Sequence, residues 1–357
     1  MARMPAAEVD VDAALVRRLL IDQHPDLAEL PLELANNGWD NVVWRLGEDL
    51  AVRVPRRAVA AGLIENEQRW LPEIAGRVRA AVPVALPVPV RVGRPTADCP
   101  WPWSVVPWVA GVSAATVPVR SRAVVAEPLA AVVRAMHVPA PADAPYNAVR
   151  ADPLITRDEP VRSRLAGGGV PRAAQVEALW TELAATEAWS GPPTWLHGDL
   201  HPHNLVLDDD AGLAAAGSDV DGSSPSARSS LGLVAAGSDV DGSSPSARSS
   251  LGLVAAGSDV DGSSPSARSS LGLVAVVDFG DMTAGDPATD LATAWLTFDA
   301  AGRKTFRGCL DGLYDDATWR RARGWALSMA TAMVTMSDDE PIIARVGRET
   351  LDQVLAG

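Results

Sequence analysis

Apolar residues first fall at helical spacing at Ala13, Leu15, Val16, Leu19 and Leu20, behind Asp12 as a cap, which predicts a helix over 12–20. The pattern then changes to short apolar runs punctuated by turn residues. Residues 32–35, 41–46 and 50–54 read as three strands, the last two joined at Gly47-Glu48-Asp49. A helix is expected over about 59–76, a proline-rich extended connection over 81–93, and an apolar strand within 100–111. Residues 122–137 carry Val124, Val125, Leu129, Val132, Val133 and Met136 on one stripe, with His137 as a last-turn residue favoured by the helix dipole. Residues 138–174 are polar, rich in Pro and Gly, and define no element. They read equally as a substrate-facing insertion or as a surface loop. A helix over 175–189 stops at Gly191-Pro192-Pro193, and helices over 290–298, 304–314, 317–336 and 345–355 close the chain. A small strand meander followed by many helices predicts an α+β protein with a small antiparallel-sheet lobe and a large helical lobe.

One block breaks this pattern. A 20-residue unit occurs three times in identical copies, at 216–235, 236–255 and 256–275. Removing all three joins Ala215 to Val276 and leaves a complete apolar strand, so the block reads as an insertion into a finished hairpin. Exact repetition invites a solenoid. Each copy, however, has one short apolar cluster and a Ser/Gly/Pro stretch too poor to pack, which predicts disorder. Acid pairs such as Asp219 and Asp221 lack the remaining ligands of a calcium loop. Lengthening a flexible loop from about 4 to about 64 residues costs about 2.5 kcal/mol, within a typical folding stability of about 5–15 kcal/mol. The apolar stretches at 231–234, 251–254 and 271–274 are the same sequence and could compete for one strand position; contiguity with Asp278 favours 271–277.

Composition narrows the class. The chain has 357 residues, 47% of them hydrophobic and 21% charged, which suits a globular protein with one large core or two lobes. A formal charge of −14 argues against a nucleic-acid partner. It is compatible with cationic substrates, and equally with acidity that serves solubility alone. Two cysteines, Cys99 and Cys309, make no disulfide framework and suggest a reducing compartment. No apolar signal segment opens the chain and no run is long enough to cross a membrane, so a cytoplasmic location is expected.

The candidate chemistry lies in two apolar, strand-like runs with polar edges, 195–207 and 276–281. Between them they offer Asp199, Asn204 and Asp278. The segment His197-Gly198-Asp199 with Asn204 five residues on, then Asp278 before Phe-Gly, and Gly285-Asp-Pro-Ala-Thr-Asp290-Leu-Ala292, resembles the aminoglycoside phosphotransferase family of protein-kinase-like enzymes. The resemblance covers most of the chain, the repeats excepted. It implies a two-lobed kinase-like fold, with residues 1–108 as a nucleotide-binding lobe and 109–357 as a catalytic and substrate lobe interrupted by 216–275. It also implies transfer of the γ-phosphate of ATP or GTP to a hydroxyl of a small-molecule acceptor. Asp199 is then the carboxylate that orients the hydroxyl, Asn204 and Asp278 hold Mg2+, Asp290 braces the catalytic loop, and His197 is a packed scaffold residue.

Alternation in 50–55 puts Ala51, Arg53 and Pro55 on one face. A kinase carries Lys in this strand; here the position falls on Arg53, with Glu67 as its expected partner, a departure that a bidentate guanidinium tolerates. The turn at 36–41, where that family covers phosphates, has only Gly38. Trp101, Trp103 and Trp108 lie in the expected hinge strand and could stack on a base, though tryptophans in strands usually pack in cores. Asp299, Asp315, Asp316, Asp338, Asp339 and Glu340 could face a polyamine, or simply water. Two rivals stand beside the kinase reading. One is a metallohydrolase with His197, His201, His203 and Asp278 on zinc. The other is a nucleotide-binding pseudokinase, or a protein disabled by its repeats.

Overall fold

A computed structural model describes residues 6–208, 233–234, 250–251, 272–337 and 340–357. The first helix, α1 (Ala13–Gln23), starts where Asp12 accepts a bond from Leu15 N at 2.7 Å. β1 (Leu32–Asn37), β2 (Asn41–Leu46) and β3 (Leu50–Pro55) form an antiparallel meander, after which α2 (Ala61–Ala81) crosses to β4 (Arg91–Gly93) and β5 (Trp103–Pro107). The sheet order is β1-β2-β3-β5-β4. α2 runs through Gly76, which the sequence pattern took as its end. A glycine there costs about 1 kcal/mol of helix propensity, and the burial of Ile74 and Val78 on either side outweighs it.

Period-2 alternation divides the sheet cleanly. Val42, Leu46, Val52, Val54, Trp103 and Val105 pack on Leu15, Val16, Leu19 and Leu20 of α1. The opposite face supplies Val43, Ala51 and Val106 to a second cluster, completed by Trp108, Val109, Val206, Ala275 and Val277. That cluster joins the sheet lobe to the hairpin carrying the candidate motif.

The helical lobe contains α3 (Ala126–Met136), α4 (Ala148–Ala151), α5 (Asp158–Ala166) and α6 (Ala173–Ala184). After the hairpin it resumes with α7 (Ala288–Leu291), α8 (Thr293–Leu296), α9 (Ala300–Cys309), α10 (Asp316–Thr335) and α11 (Pro341–Ala356). α10 is buried along most of its length and packs on α11. The segment 138–174, which offered no pattern, holds α4 and α5. The single helix expected over 290–298 is two short ones. α9 begins four residues earlier than its periodicity indicated because Asp299 caps it, accepting from Gly302 N, and Asp315 caps α10 through Thr318 N. These two acids are thereby spent on helix ends. α11 begins at Pro341, whose fixed φ suits a first helical turn.

The remaining strands are short. β6 (Val112–Ser113), β8 (Leu205–Leu207) and a strand over Leu273–Val276 form one three-stranded sheet, and β7 (Thr194–Leu196) pairs with a strand over Thr283–Gly285. Leu273–Val276 comes from the last repeat copy and its junction, pairing Leu273 with Leu207 and Val276 with Leu205. Leu233–Val234 and Ser250–Leu251 pair antiparallel with each other. The expectations of disorder and of no calcium binding for 216–275 otherwise lie outside the described residues, as do Asp338 and Asp339. Cys99 and Cys309 are both free thiols. Among the described residues no helix is long and apolar enough to cross a membrane.

Candidate active site

The chain leaves β7 at Leu196 and turns sharply. Gly198 has φ +86°, and a Cβ there would lie 2.3 Å from Asp281 O, so only glycine lets the loop press against the 278–281 segment. Asp290, at the start of α7, accepts from His197 N at 2.7 Å and from Gly198 N at 2.9 Å. The loop therefore has both of its opening amides tied to one buried carboxylate. The His197 ring packs against Phe279, with centroids 4.5 Å apart and the ring planes tilted by 50°. Its Nδ1 accepts from Asp199 N at 3.2 Å, so Nε2 carries the proton and donates to Val277 O at 2.9 Å. Asn204 Nδ2 donates to Asp199 O at 2.9 Å, and Val277 N donates to Asn204 O at 3.0 Å. His197, Asp199, Asn204 and Asp290 thus belong to one bonded network that runs through Val277 to the neighbouring Asp278. Asp278 is buried with φ +68°, a left-handed conformation that aspartate tolerates better than most residues.

The Asp199 carboxylate is buried between two cationic or polar partners. Arg150 Nη2 donates to Oδ1 at 2.7 Å, and His201 Nε2 lies 3.2 Å from Oδ2. Burial alone would raise its pKa, but the Arg150 guanidinium and His201 hold it well below the usual carboxylate range. The same guanidinium reaches Asp281 Oδ2 through Nε at 3.2 Å and Nη2 at 2.9 Å. Burial pushes Asp281 up, and Arg150 opposes that only in part because Asp199 is beside it.

These geometries do not assemble the zinc set. Both ring nitrogens of His197 are engaged, and His201 Nδ1 accepts from His203 N at 3.2 Å. Among the described residues no group of three or more His, Cys, Asp or Glu side chains could hold a metal ion. Asn204 and Asp278 instead supply an amide oxygen and a carboxylate. That hard-oxygen pair fits Mg2+, which takes few protein ligands and fills its shell with water and phosphate oxygens.

On the sheet side, Arg53 and Glu67 form a hydrogen-bonded ion pair, each 1% exposed. Arg53 stands opposite Val43 in the ladder, on the face that packs toward the hairpin. Burial raises the Glu67 pKa and Arg53 opposes the rise. Asn41, opposite Pro55 and on the same face, is fully buried, and neither atom of its amide has a hydrogen-bond partner. Trp103 and Trp108 are core residues in this structure.

The sequence profile of the phosphotransferase enzyme family (APH) matches residues 31–215 and 270–325, most of the chain. The chain belongs to that family. Its match breaks where the repeats lie. No curated protein sequence matches the chain. Among solved structures, it is similar to the GDP and kanamycin complex of APH(2")-IIia, at 15% identity and TM-score 0.60 over 96% of this chain and 98% of that one. A GDP complex of wild-type aminoglycoside 2'-phosphotransferase-IIIa matches with 15% identity and TM-score 0.60, covering 97% and 99%. A ternary complex of APH(4)-Ia with ADP and hygromycin B matches at 12% identity and TM-score 0.51, covering 96% and 98%. Likeness at such identities speaks for the kinase-like fold.

Several groups of this phosphotransferase's site carried no signal in the sequence. Arg150 and Asn147 lie in the segment that had no periodicity at all. His137, at the end of α3, does more than meet the helix dipole: Nε2 lies 3.2 Å from Asp290 Oδ2, and Nδ1 is 2.8 Å from Tyr314 OH. Burial and the nearby Asp290 charge raise the Tyr314 pKa, which keeps it a neutral phenol. Asp281 alone had a legible cue, an acid closing an apolar run.

Proposed function

We propose that this phosphotransferase moves the γ-phosphate of ATP or GTP to a hydroxyl of a small molecule, an aminoglycoside or another hydroxylated metabolite. The observation that supports the reading is the buried hydrogen-bond network that ties the Asp199 backbone to Asn204 and Asn204 to Val277 beside Asp278, with the Asp199 carboxylate bonded by Arg150. The acceptor oxygen attacks the γ-phosphorus and the bond to the β,γ-bridging oxygen breaks, with the electron pair leaving on the nucleoside diphosphate. Asp199 orients the acceptor hydroxyl and takes up its proton. Asn204 and Asp278 are the residues to hold Mg2+, which when bound neutralises charge on the phosphates. Arg53, set by Glu67, steadies the donor phosphates, while His197 and Asp290 keep the loop in shape. The nucleotide lobe comprises residues 1–108 and the catalytic and substrate lobe 109–357.

Fold neighbours hold GDP or ADP, and kanamycin or hygromycin B, in their own sites; kanamycin and hygromycin B are therefore the first acceptors to try, with GTP and ATP, the triphosphates of those nucleotides, as donors. The test is an assay with Mg2+ and ATP or GTP over a panel of aminoglycosides, macrolides and sugars. Wild-type protein is expected to phosphorylate an acceptor, and Asp199→Ala to lose at least about 100-fold in kcat while still binding nucleotide. Equal activity in the two proteins overturns the assignment. Arg53 in the lysine position favours a second reading, a pseudokinase that binds nucleotide without turnover. Saturable nucleotide binding with no product from any acceptor or from water would select it.

A further inference from the structure

α4 is one turn long, yet it is fastened at every polar position. Asn147 caps it, its Oδ1 accepting from Val149 N and its Nδ2 donating to Asp281 Oδ1, both at 3.0 Å. Asn147 N donates to Thr283 Oγ1 at 3.0 Å, and Thr289 Oγ1 donates to Arg150 O at 2.9 Å. Gly285 admits the turn closely, since a Cβ there would meet Ala151 Cα at 3.0 Å. The helix is therefore docked on the strand and helix that follow Asp278, and its one long side chain, Arg150, is 1% exposed.

That side chain reaches the reaction centre. Nη2 is shared between Asp199 Oδ1 and Asp281 Oδ2, while Nε returns to Asp281. An arginine fork with one carboxylate fixed by Asn147 has little freedom left, so the second carboxylate it holds inherits that rigidity. A carboxylate oxygen has lone pairs for more than one donor, and this bond still leaves Asp199 able to accept from a hydroxyl.

We infer that Arg150 is a positioning residue for phosphoryl transfer, fixing the Asp199 carboxylate through a guanidinium shared with Asp281. This rests on the proposed role of Asp199, and it ties catalytic geometry to the 145–151 segment. A carboxylate left to rotate misplaces the attacking hydroxyl, and a misplacement of about 1 Å costs on the order of 100-fold in rate.

The test compares wild type with Arg150→Lys and Arg150→Met. Lysine keeps the charge but cannot span two carboxylates as a planar fork, and it guards against the chance that the methionine variant fails to fold. Expected is a fall in kcat of roughly 100-fold for Arg150→Met and a smaller one for Arg150→Lys, with nucleotide KM and nucleotide binding within about two-fold of wild type. A folded Arg150→Met or Arg150→Lys with wild-type kcat, or a change confined to KM, overturns the inference. A readout independent of turnover is the melting temperature of Arg150→Met, Asp199→Asn and the double variant. Shifts that are clearly non-additive support the linkage, because the Asp199 charge that Arg150→Met strands is absent from the double variant, while the loss at Asp281 is the same in both. Additive shifts overturn it. Should wild type turn over no acceptor, the phosphotransfer reading fails, and the melting cycle alone decides whether Arg150 holds Asp199.

Discussion

Asp290 takes both amides that open the catalytic loop, so its removal orphans two buried donors at once. Leaving a buried donor unmade costs about 1–3 kcal/mol. Asp290→Ala is expected to lose at least that much unfolding free energy in urea titration and to lower kcat more than nucleotide affinity. A loss under about 0.5 kcal/mol, the usual scatter of surface substitutions, contradicts the bracing role. His203 sets a pH dependence. Burial, aided by His201, pushes its pKa down to about 3 from an ordinary 6.5. The unfolded imidazole therefore takes up a proton that the folded one refuses. Its contribution is intact above the ordinary value and drains away as pH falls toward 3, at up to about 1.4 kcal/mol per pH unit. Denaturant titrations of protein free of divalent cations at pH 7, 6, 5 and 4 should record that decline, and His203→Asn should make it shallower. The residues that sequence reading found, Asp199, Asn204, Asp278 and Asp290, stand at fixed spacing in short motifs. Arg150, His137 and Tyr314 were illegible because their partners lie more than 45 positions away, and nothing local distinguishes a buried arginine from a solvated one.

At the scale of elements, β2 and β3 were legible because each has one face on the α1 cluster and alternates accordingly, while β1, with Leu34 exposed, showed only as a short run ending in turn residues. Helix boundaries were less so. Asp299 and Asp315 looked like surface acids, yet each is a cap, and a cap is recognisable only once the start of its helix is known. The segment 138–174 stayed opaque for a different reason: α4 is held by hydrogen bonds from Asn147, Thr283 and Thr289 and so needs no apolar period. One close approach between elements offers a sharp test. A Cβ on Gly111 would lie 2.3 Å from Leu207 O and 2.6 Å from Val206 Cγ1, at the end of the strand that follows Asn204. Gly111→Ala should cost about 1–3 kcal/mol by forcing that strand aside. A calorimetric melt unchanged from wild type means the backbone yields freely there.

In the whole molecule, α2 sets Leu71, Ile74 and Val78 into the large helical core, and a small apolar cluster joins the sheet to the hairpin, whose half of it, Val206, Ala275 and Val277, flanks Asn204 and Asp278. Ala275 belongs to the third repeat copy. Deleting 216–275 substitutes Leu213-Ala214-Ala215 for Leu273-Val274-Ala275, keeping the buried Leu and Ala positions and changing only the half-buried Val274. The shortened protein is expected to fold and to gain about 2.5 kcal/mol in stability from the shorter loop, read by urea unfolding, with nucleotide affinity unchanged. Loss of folding on deletion would mean that the repeats contribute structure.

The origin of that strand within a repeat also makes the site indifferent to tally. Any number of copies from one upward presents the same Leu-Val-Ala in front of Val276, so gain or loss of a unit within that range leaves the sequence beside Asp278 unchanged. The entropy of loop closure is logarithmic: the first copy costs about 1.6 kcal/mol, the third about 0.3 and a fourth about 0.2. Once a first unit has been tolerated, neither the hairpin nor the chemistry beside it sets a limit on how many follow.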